Sequence, residues 1–230
     1  MQPYLFPYIG YFQLMHAADR FVVYDDVAYI KQGWINRNRM LLDGEAAFFN
    51  VPVKHASSFT TIRDTLVDDS VQNRRWAEKL LKTFDQAYRR APEFARVFPL
   101  IEAVLGRPTS RVADLAVASL KAVAGYLDIR TAWVDSSTVY GNAHLKGEER
   151  VLAICRVEGA TEYVNAAGGR NLYASDRFEA AGVRLRFAQP RPIAYRQFTA
   201  PFVPWLSIVD VLMFNRPEKV RQYLDACHLA

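Results

Sequence analysis

From Ile129 onward, short β-rich runs alternate with helical ones: "IRTAWVDSS", a helical pattern over 147–158, "EYVNAAGG", a second helical pattern over 174–181, and "VRLRF". Strands separated by helices of this length are joined by crossovers and lie parallel. No other stretch constrains the fold as strongly, and it predicts an α/β protein whose sheet is mostly parallel and of Rossmann-like type. The opening, "MQPYLFPYIGYFQLMHAADRFVVYDD", fits the same scheme. Tyr8, Tyr11, Phe12, Met15 and Ala18 follow a helical stripe, and "FVVY" reads as a strand that ends at Asp25 and Asp26. Residues 1–4 then form the stub of an earlier strand, with more of it upstream or a sheet that tolerates the stub. Pro3, Pro7 and Gln13 exclude an export signal, which needs an uninterrupted apolar stretch.

Between these regions lie an antiparallel excursion and a helical layer. "LLDGEAAFFNVPV" carries Asp43-Gly44 between apolar runs, the strongest hairpin signal in the chain. "SVQNRRWAEKLLKTFDQAYRRAPEF" reads as a helix capped by Ser70, with Trp76, Leu80, Phe84 and Tyr88 on one face, stopped by Pro92. Helical patterns follow over 93–105 and 110–127. One α/β domain over 1–230 is expected, with sub-layers at 1–70, 71–127 and 128–230. Two final helical patterns, "LSIVDVLMFN" and "PEKVRQYLDACHL", close the chain.

The 230 residues carry a net charge of +5, with 51% hydrophobic and 23% charged residues, a balance that excludes disordered and coiled-coil classes. No run approaches a membrane span. Cys155 and Cys227 fall on amphipathic helical patterns without a second cysteine at ligand or redox spacing, and read as core thiols of a cytoplasmic protein. The four histidines are dispersed, so no zinc set is expected and the metal class is none; no cofactor is assigned.

In open α/β sheets, ligands bind where loops converge at the carboxyl ends of strands. That rule selects the "QPYLFPYIG" loop, Asp25 and Asp26, residues 135–137, and residues 165–169. Paired carboxylates at a strand end hold Mg²⁺, bind ribose or act as a base; equally, they cap a turn or bind arginines. Gly168 and Gly169 in "AAGGR" form either an anion cradle or a plain turn. "KQGWINRNR" sets Lys31, Arg37 and Arg39 around Trp34, a solvated surface or a stacking-plus-charge cluster. Ser207 and Asp210 at the start of "SIVDVLMFN" fit a capping box with Asp in the Glu position.

Taken together, "QPYLFPYIGYFQLMHAADRFVVYDDVAYIKQGWINRNRML", "VPVK", the "KLLKTFDQAYRRAPEF" helix, and Tyr195 and Gln197 before "FVPWLSIVDVLMFN" resemble the WbqC-like protein family over nearly the whole chain. Members often carry further residues at the start and His before Gln-Pro, where this chain has Met1. The resemblance implies that the Gln-Pro-Tyr loop and Asp25-Asp26 face one cleft. The family's association with bacterial surface-polysaccharide and O-antigen gene clusters, near sugar aminotransferases, implies a transferase acting on an activated amino sugar.

On that implication the protein transfers an acyl or aminoacyl group to the amine of a nucleotide-linked, anionic substrate. Asp25 or Asp26 is the base and Lys31 a further catalytic residue. Lys31, Asn36, Arg37 and Arg39 grip phosphate or oxyanion. Gln2, Tyr4 and Tyr8 form an aromatic wall, and Trp34, Asn38, Gly168, Gly169, Tyr195, Gln197, Ser207 and Asp210 complete the substrate contacts. Arg37, Arg39 or the "AAGGR" turn is expected beside the aspartates. An aspartate serving a site tolerates Asn at about 1 to 2 kcal/mol, whereas one closing a buried ion pair costs about 3 to 5 kcal/mol. The alternatives are a module that binds aminoacyl-tRNA or another RNA through the Trp34 cluster, and an ATP-dependent nucleotidyltransferase. The opening is similar to those of nucleotidyltransferase folds such as pantothenate synthetase, without their HxGH histidines.

Overall fold

The computed structural model of the chain describes residues 1–55 and 57–230. Helix α1 (Ile9–His16) delivers the chain into β1 (Arg20–Val22), which pairs in parallel with β4 (Ala132–Val134), Phe21 opposite Trp133. On the other side of β1, the Met1 nitrogen donates to Val22 O at 2.8 Å and Tyr24 N donates to Met1 O at 2.8 Å. This alternation is that of a parallel pair, but it involves Met1 alone: the stub expected over 1–4 does not form a strand.

The Asp43-Gly44 hairpin forms as expected between β2 (Arg37–Leu42) and β3 (Glu45–Asn50). Both turn residues have positive φ, 52° and 85°, as a type I′ turn requires. Its inner face, Asn38, Met40 and Phe49, is buried, while Arg37, Arg39 and Phe48 line the outer one. Helices α2 (Trp76–Tyr88), α3 (Phe94–Leu105) and α4 (Val112–Tyr126) build the helical layer. Leu80, Phe84 and Tyr88 of α2 face the core, with Phe84 against Phe49 of the hairpin, ring centroids 5.0 Å apart. Ser70 does not cap this helix: 71–75 is a run of turns, and Arg75 is the N-cap, without a side-chain capping bond.

The alternating region folds as β4, α5 (Gly147–Val157), β5 (Glu162–Ala166), α6 (Ser175–Ala180) and β6 (Arg184–Pro190), with β5 and β6 parallel. Helices α7 (Ile208–Phe214) and α8 (Pro217–Leu224) follow. The final residues make β7 (Cys227–Leu229), antiparallel to β6, so Cys227 stands on a strand and not on the expected helix. A mostly parallel sheet of Rossmann-like type with a hairpin excursion was expected; the hairpin forms apart as expected, but the remaining strands divide into a parallel pair and a three-stranded mixed sheet, so no Rossmann-like sheet is assembled. The fold is therefore mixed α/β with small sheets. The three sheets share two apolar clusters: the parallel pair and the hairpin lie on the main core with α1, α7 and the helical layer, whereas Val151, Cys155, Phe178 and Val183 form a second cluster with Tyr163 and Leu185. Among the described residues no helix is long and apolar enough to cross a membrane.

Candidate functional site

The Gln-Pro-Tyr loop is held through its backbone. Phe6 lies in the left-handed region at φ 41°, a conformation that costs a bulky residue of order 1 to 3 kcal/mol unless its surroundings impose it. Here they do. Phe6 N donates to Ser119 Oγ of α4 at 3.0 Å, and its carbonyl accepts from Asn38 Nδ2 at 3.0 Å and Ser207 Oγ at 2.6 Å. Leu5 N donates to Ile35 O and Ile208 N to Pro7 O. Asn38 and Ser207, expected to touch substrate, are buried and give their donors to this loop, while Asn38 Oδ1 accepts from Arg39 N. The loop presents Gln2, Tyr4 and Tyr8, all partly accessible, and Tyr4 and Tyr11 pack at 5.6 Å.

Asp25 and Asp26 meet the residues that follow β4. Asp25 Oδ1 accepts from Ser136 Oγ at 2.8 Å and Ser137 N at 3.2 Å, and Asp25 is 5% exposed. Asp26 Oδ1 accepts from Ser137 Oγ, and its Oδ2 from Arg150 Nη2 of α5 at 2.5 Å. Arg150 also donates to Asn142 Oδ1 at 3.0 Å and lies 4.8 Å over the Tyr24 ring. The expected arginine neighbours, Arg37 and Arg39, bond elsewhere: Arg37 to the Gly33 and Gln32 carbonyls, Arg39 to Trp205 O. The carboxyl pair that follows β1 takes its cation from α5, the helix after β4. Arg63, from the turn after the hairpin, donates to Ser136 Oγ at 3.2 Å and Thr138 Oγ1 at 2.7 Å.

Lys31, Gln32, Arg37, Phe48 and Asn50 line an open groove of about 490 Å³. Asn36 closes its floor, its amide spent on Tyr29 Oη at 2.6 Å and Val51 O at 2.7 Å, so it supports the groove and has little left for a phosphate. Trp34 stacks on Phe48 at 6.1 Å.

Ser207 accepts from Val209 N at 3.2 Å, but Asp210 does not complete the expected capping box. Its carboxylate turns inward and accepts from Tyr195 Oη at 2.6 Å, Gln197 Nε2 at 2.9 Å and Tyr88 Oη at 3.0 Å. Gln197, Ser207 and Asp210 are buried, so this cluster holds the "AYRQF" segment to α7 and α2. Burial without a cation raises the Asp210 pKa above its ordinary 3.8 despite the three donors. A carboxyl raised on folding binds its proton more tightly in the native state, so it adds stability as pH falls through the raised value toward the unfolded one. The stability difference between wild type and Asp210→Asn should therefore grow in favour of wild type as pH is lowered from neutral into that window. Urea unfolding at a series of pH values measures it; a difference flat with pH excludes the assignment.

The "AAGGR" segment forms a 3-10 turn, with Gly168 exposed and Gly169 buried. A Cβ on Gly169 would stand 2.8 Å from Asn165 Nδ2, which gives this glycine a packing reason. Burial pushes the Cys155 thiol up to about 11, which suits a core residue. Among the described residues no three His, Cys, Asp or Glu side chains gather as a metal would need. Sequence reasoning missed Arg150, Ser119 and Trp205. Ser136 and Ser137 carried a signal, their place at a strand end, whereas Arg150 in a charged helix carried none.

No solved structure matches the chain. The uncharacterized protein Rv1507c of Mycobacterium tuberculosis is 31% identical over 224 residues, covering 96% of this chain and 94% of that protein. A sequence model of the WbqC-like protein family matches residues 2–222, spanning the Gln-Pro-Tyr loop, the aspartate pair, the hairpin and α7. With the match running through every element that builds the site, the chain belongs to the WbqC-like protein family.

Proposed function

We propose that the protein is a transferase that moves an acyl or aminoacyl group onto the amine of a nucleotide-linked amino sugar or similar anionic substrate. Its place is bacterial surface-polysaccharide synthesis of the O-antigen type, which family membership suggests. The observation that carries the reading is the Asp26, Arg150 and Ser137 cluster where β1 and β4 end, beside Tyr24. The Tyr24 amide bonds Met1 O, so the cluster adjoins the start of the Gln-Pro-Tyr loop. Ligands of α/β proteins bind at such strand ends.

In this reaction the amine nitrogen attacks the acyl carbonyl, a C–N bond forms, and the donor's leaving group departs. The attacking ammonium must first lose a proton, and Asp26 is the acceptor. Asp26 is chosen on accessibility, Asp25 being the more buried of the two; both Asp26 oxygens accept hydrogen bonds, from Ser137 and Arg150, and one of these contacts has to open for it to take the proton. Arg63 donates only to hydroxyls here, and it supplies a cationic donor for the developing oxyanion. Lys31 and Arg37 in the groove hold the substrate's phosphates.

The test incubates the protein with UDP- and dTDP-amino sugars and a panel of activated acyl and aminoacyl donors, and follows product by mass. Wild type should turn over at least one pair. Loss of a general base is worth about 10²- to 10⁴-fold, so Asp26→Asn should lose at least about 100-fold while folded by near-UV circular dichroism. No product from folded wild type across the panel, or unchanged turnover in Asp26→Asn, overturns the reading.

A further inference from the structure

We infer that the outer face of the β2–β3 hairpin, continued through Trp205 to Tyr8, binds a single-stranded nucleic acid. The face is built from alternating cations and aromatic planes. Arg37 and Arg39, two residues apart on β2, project on the same side at a spacing of about 7 Å. Arg39 is paired in register with Phe48 of β3. The Arg37 guanidinium lies 4.8 Å over the Phe48 ring and that of Arg39 5.7 Å over Trp34, while the Trp34 and Phe48 rings stack within 27° of parallel. Arg39 then reaches Trp205 O at 2.9 Å, and the Trp205 ring stands 6.1 Å from that of Tyr8. Two aromatic platforms are thus linked through one arginine.

Three features select the occupant. Trp34, Phe48 and Trp205 are 39%, 57% and 61% exposed, large apolar rings left in solvent that nothing in the fold requires there. Among the described residues no salt bridge involves Lys31, Arg37 or Arg39; Arg37 and Arg39 are half-buried and bonded to backbone carbonyls, so no carboxylate neutralises the charge they bring to this face. The surface is therefore complementary to a polyanion. It is also open and extended, whereas a site for one small nucleotide encloses most of its ligand. Successive bases stacked on aromatic side chains, with the phosphates tracked by arginine and lysine, is the mode in which single strands are held. This inference shares Lys31 and Arg37 with the groove proposed above for the substrate's phosphates, so the two readings compete for one surface, and binding measured without turnover separates them.

Fluorescence anisotropy of labelled RNA and DNA single strands of about eight nucleotides, a length within the site sizes of such grooves, tests it. Three cations on single strands predict a slope of log affinity against log salt of about −2, hence a loss of roughly 20-fold between about 50 and 200 mM salt. Trp34→Ala and Phe48→Ala, both at exposed positions, should each weaken binding roughly 5- to 150-fold with unchanged melting temperature. Arg37→Gln should make the slope shallower by about 0.7. Preference for RNA over DNA, or the reverse, tells which strand is bound and leaves the inference standing. It is overturned by any of four results: no binding at about 50 mM salt, where such contacts are strongest; binding unaffected by both aromatic substitutions; a duplex or polyglutamate competing as well as the single strand; or UDP binding as tightly as the oligonucleotide.

Discussion

Asp26→Asn is expected to destabilise the protein by about 3 to 5 kcal/mol, the cost of removing one partner of a buried ion pair. The Arg150 side chain is 3% exposed and that of Asp26 11%, and 2.5 Å separates them. Neutralising Asp26 leaves a guanidinium out of water with only Asn142 Oδ1 and the Tyr24 ring face to compensate it. The pair also ties the end of β1 in the main core to α5, whose Val151 and Cys155 belong to the second cluster. Its loss therefore loosens the junction between two apolar clusters. Arg150→Met in the Asp26→Asn background should restore much of the loss, because the uncompensated charge and not the missing attraction is the larger penalty. Urea unfolding of the two single variants and the double variant measures both statements. A loss below about 1 kcal/mol in Asp26→Asn would mean that the pair is solvated and worth no more than a surface bridge. Of the two expected magnitudes, the one for an aspartate that closes a buried ion pair is the one that applies to Asp26.

The second large effect is expected at α2. Phe84 is fully buried between Phe49 of the hairpin at 5.0 Å and Tyr88 at 6.4 Å. Phe84→Ala removes the ring and leaves a cavity that the hairpin and helix fill only in part, at a cost of about 3 to 5 kcal/mol. For a chain of this size that lowers the melting temperature by roughly 6 to 20 °C. One turn further on, the Tyr88 hydroxyl accepts from Leu41 N at 2.9 Å and donates to Asp210, so the same face of α2 supports the hairpin and the buried carboxylate. A melting temperature unchanged in Phe84→Ala would show that α2 does not pack on the hairpin. A fall in stability with the anisotropy response intact would show that the outer face of the hairpin survives loosening beneath it.

What the chain encodes locally was legible in its sequence. The 3.6-residue spacing of Leu80, Phe84 and Tyr88 placed the buried face of α2, and Asp43-Gly44 placed the hairpin, because a helical stripe and a left-handed turn depend on residues within a few positions of one another. The strand ends that carry Asp25, Asp26 and Ser136 were legible for the same reason. The capping box at Ser207 was read half correctly. A serine at the N-cap has a donor within two residues, but the carboxylate of Asp210 had a choice between the backbone and the interior, and Tyr88 and Tyr195 took it. Tertiary structure alone decided which distant groups meet: Asp26 with Arg150, Phe6 with Ser119 and Ser207, Arg39 with Trp205. It also divided the expected parallel sheet into two. A period in sequence specifies which face of an element is apolar. The partner of a buried charge or of a strained loop is set by whichever polar group packing carries to it, from more than 100 residues away for all four of those contacts, and no local pattern records that distance.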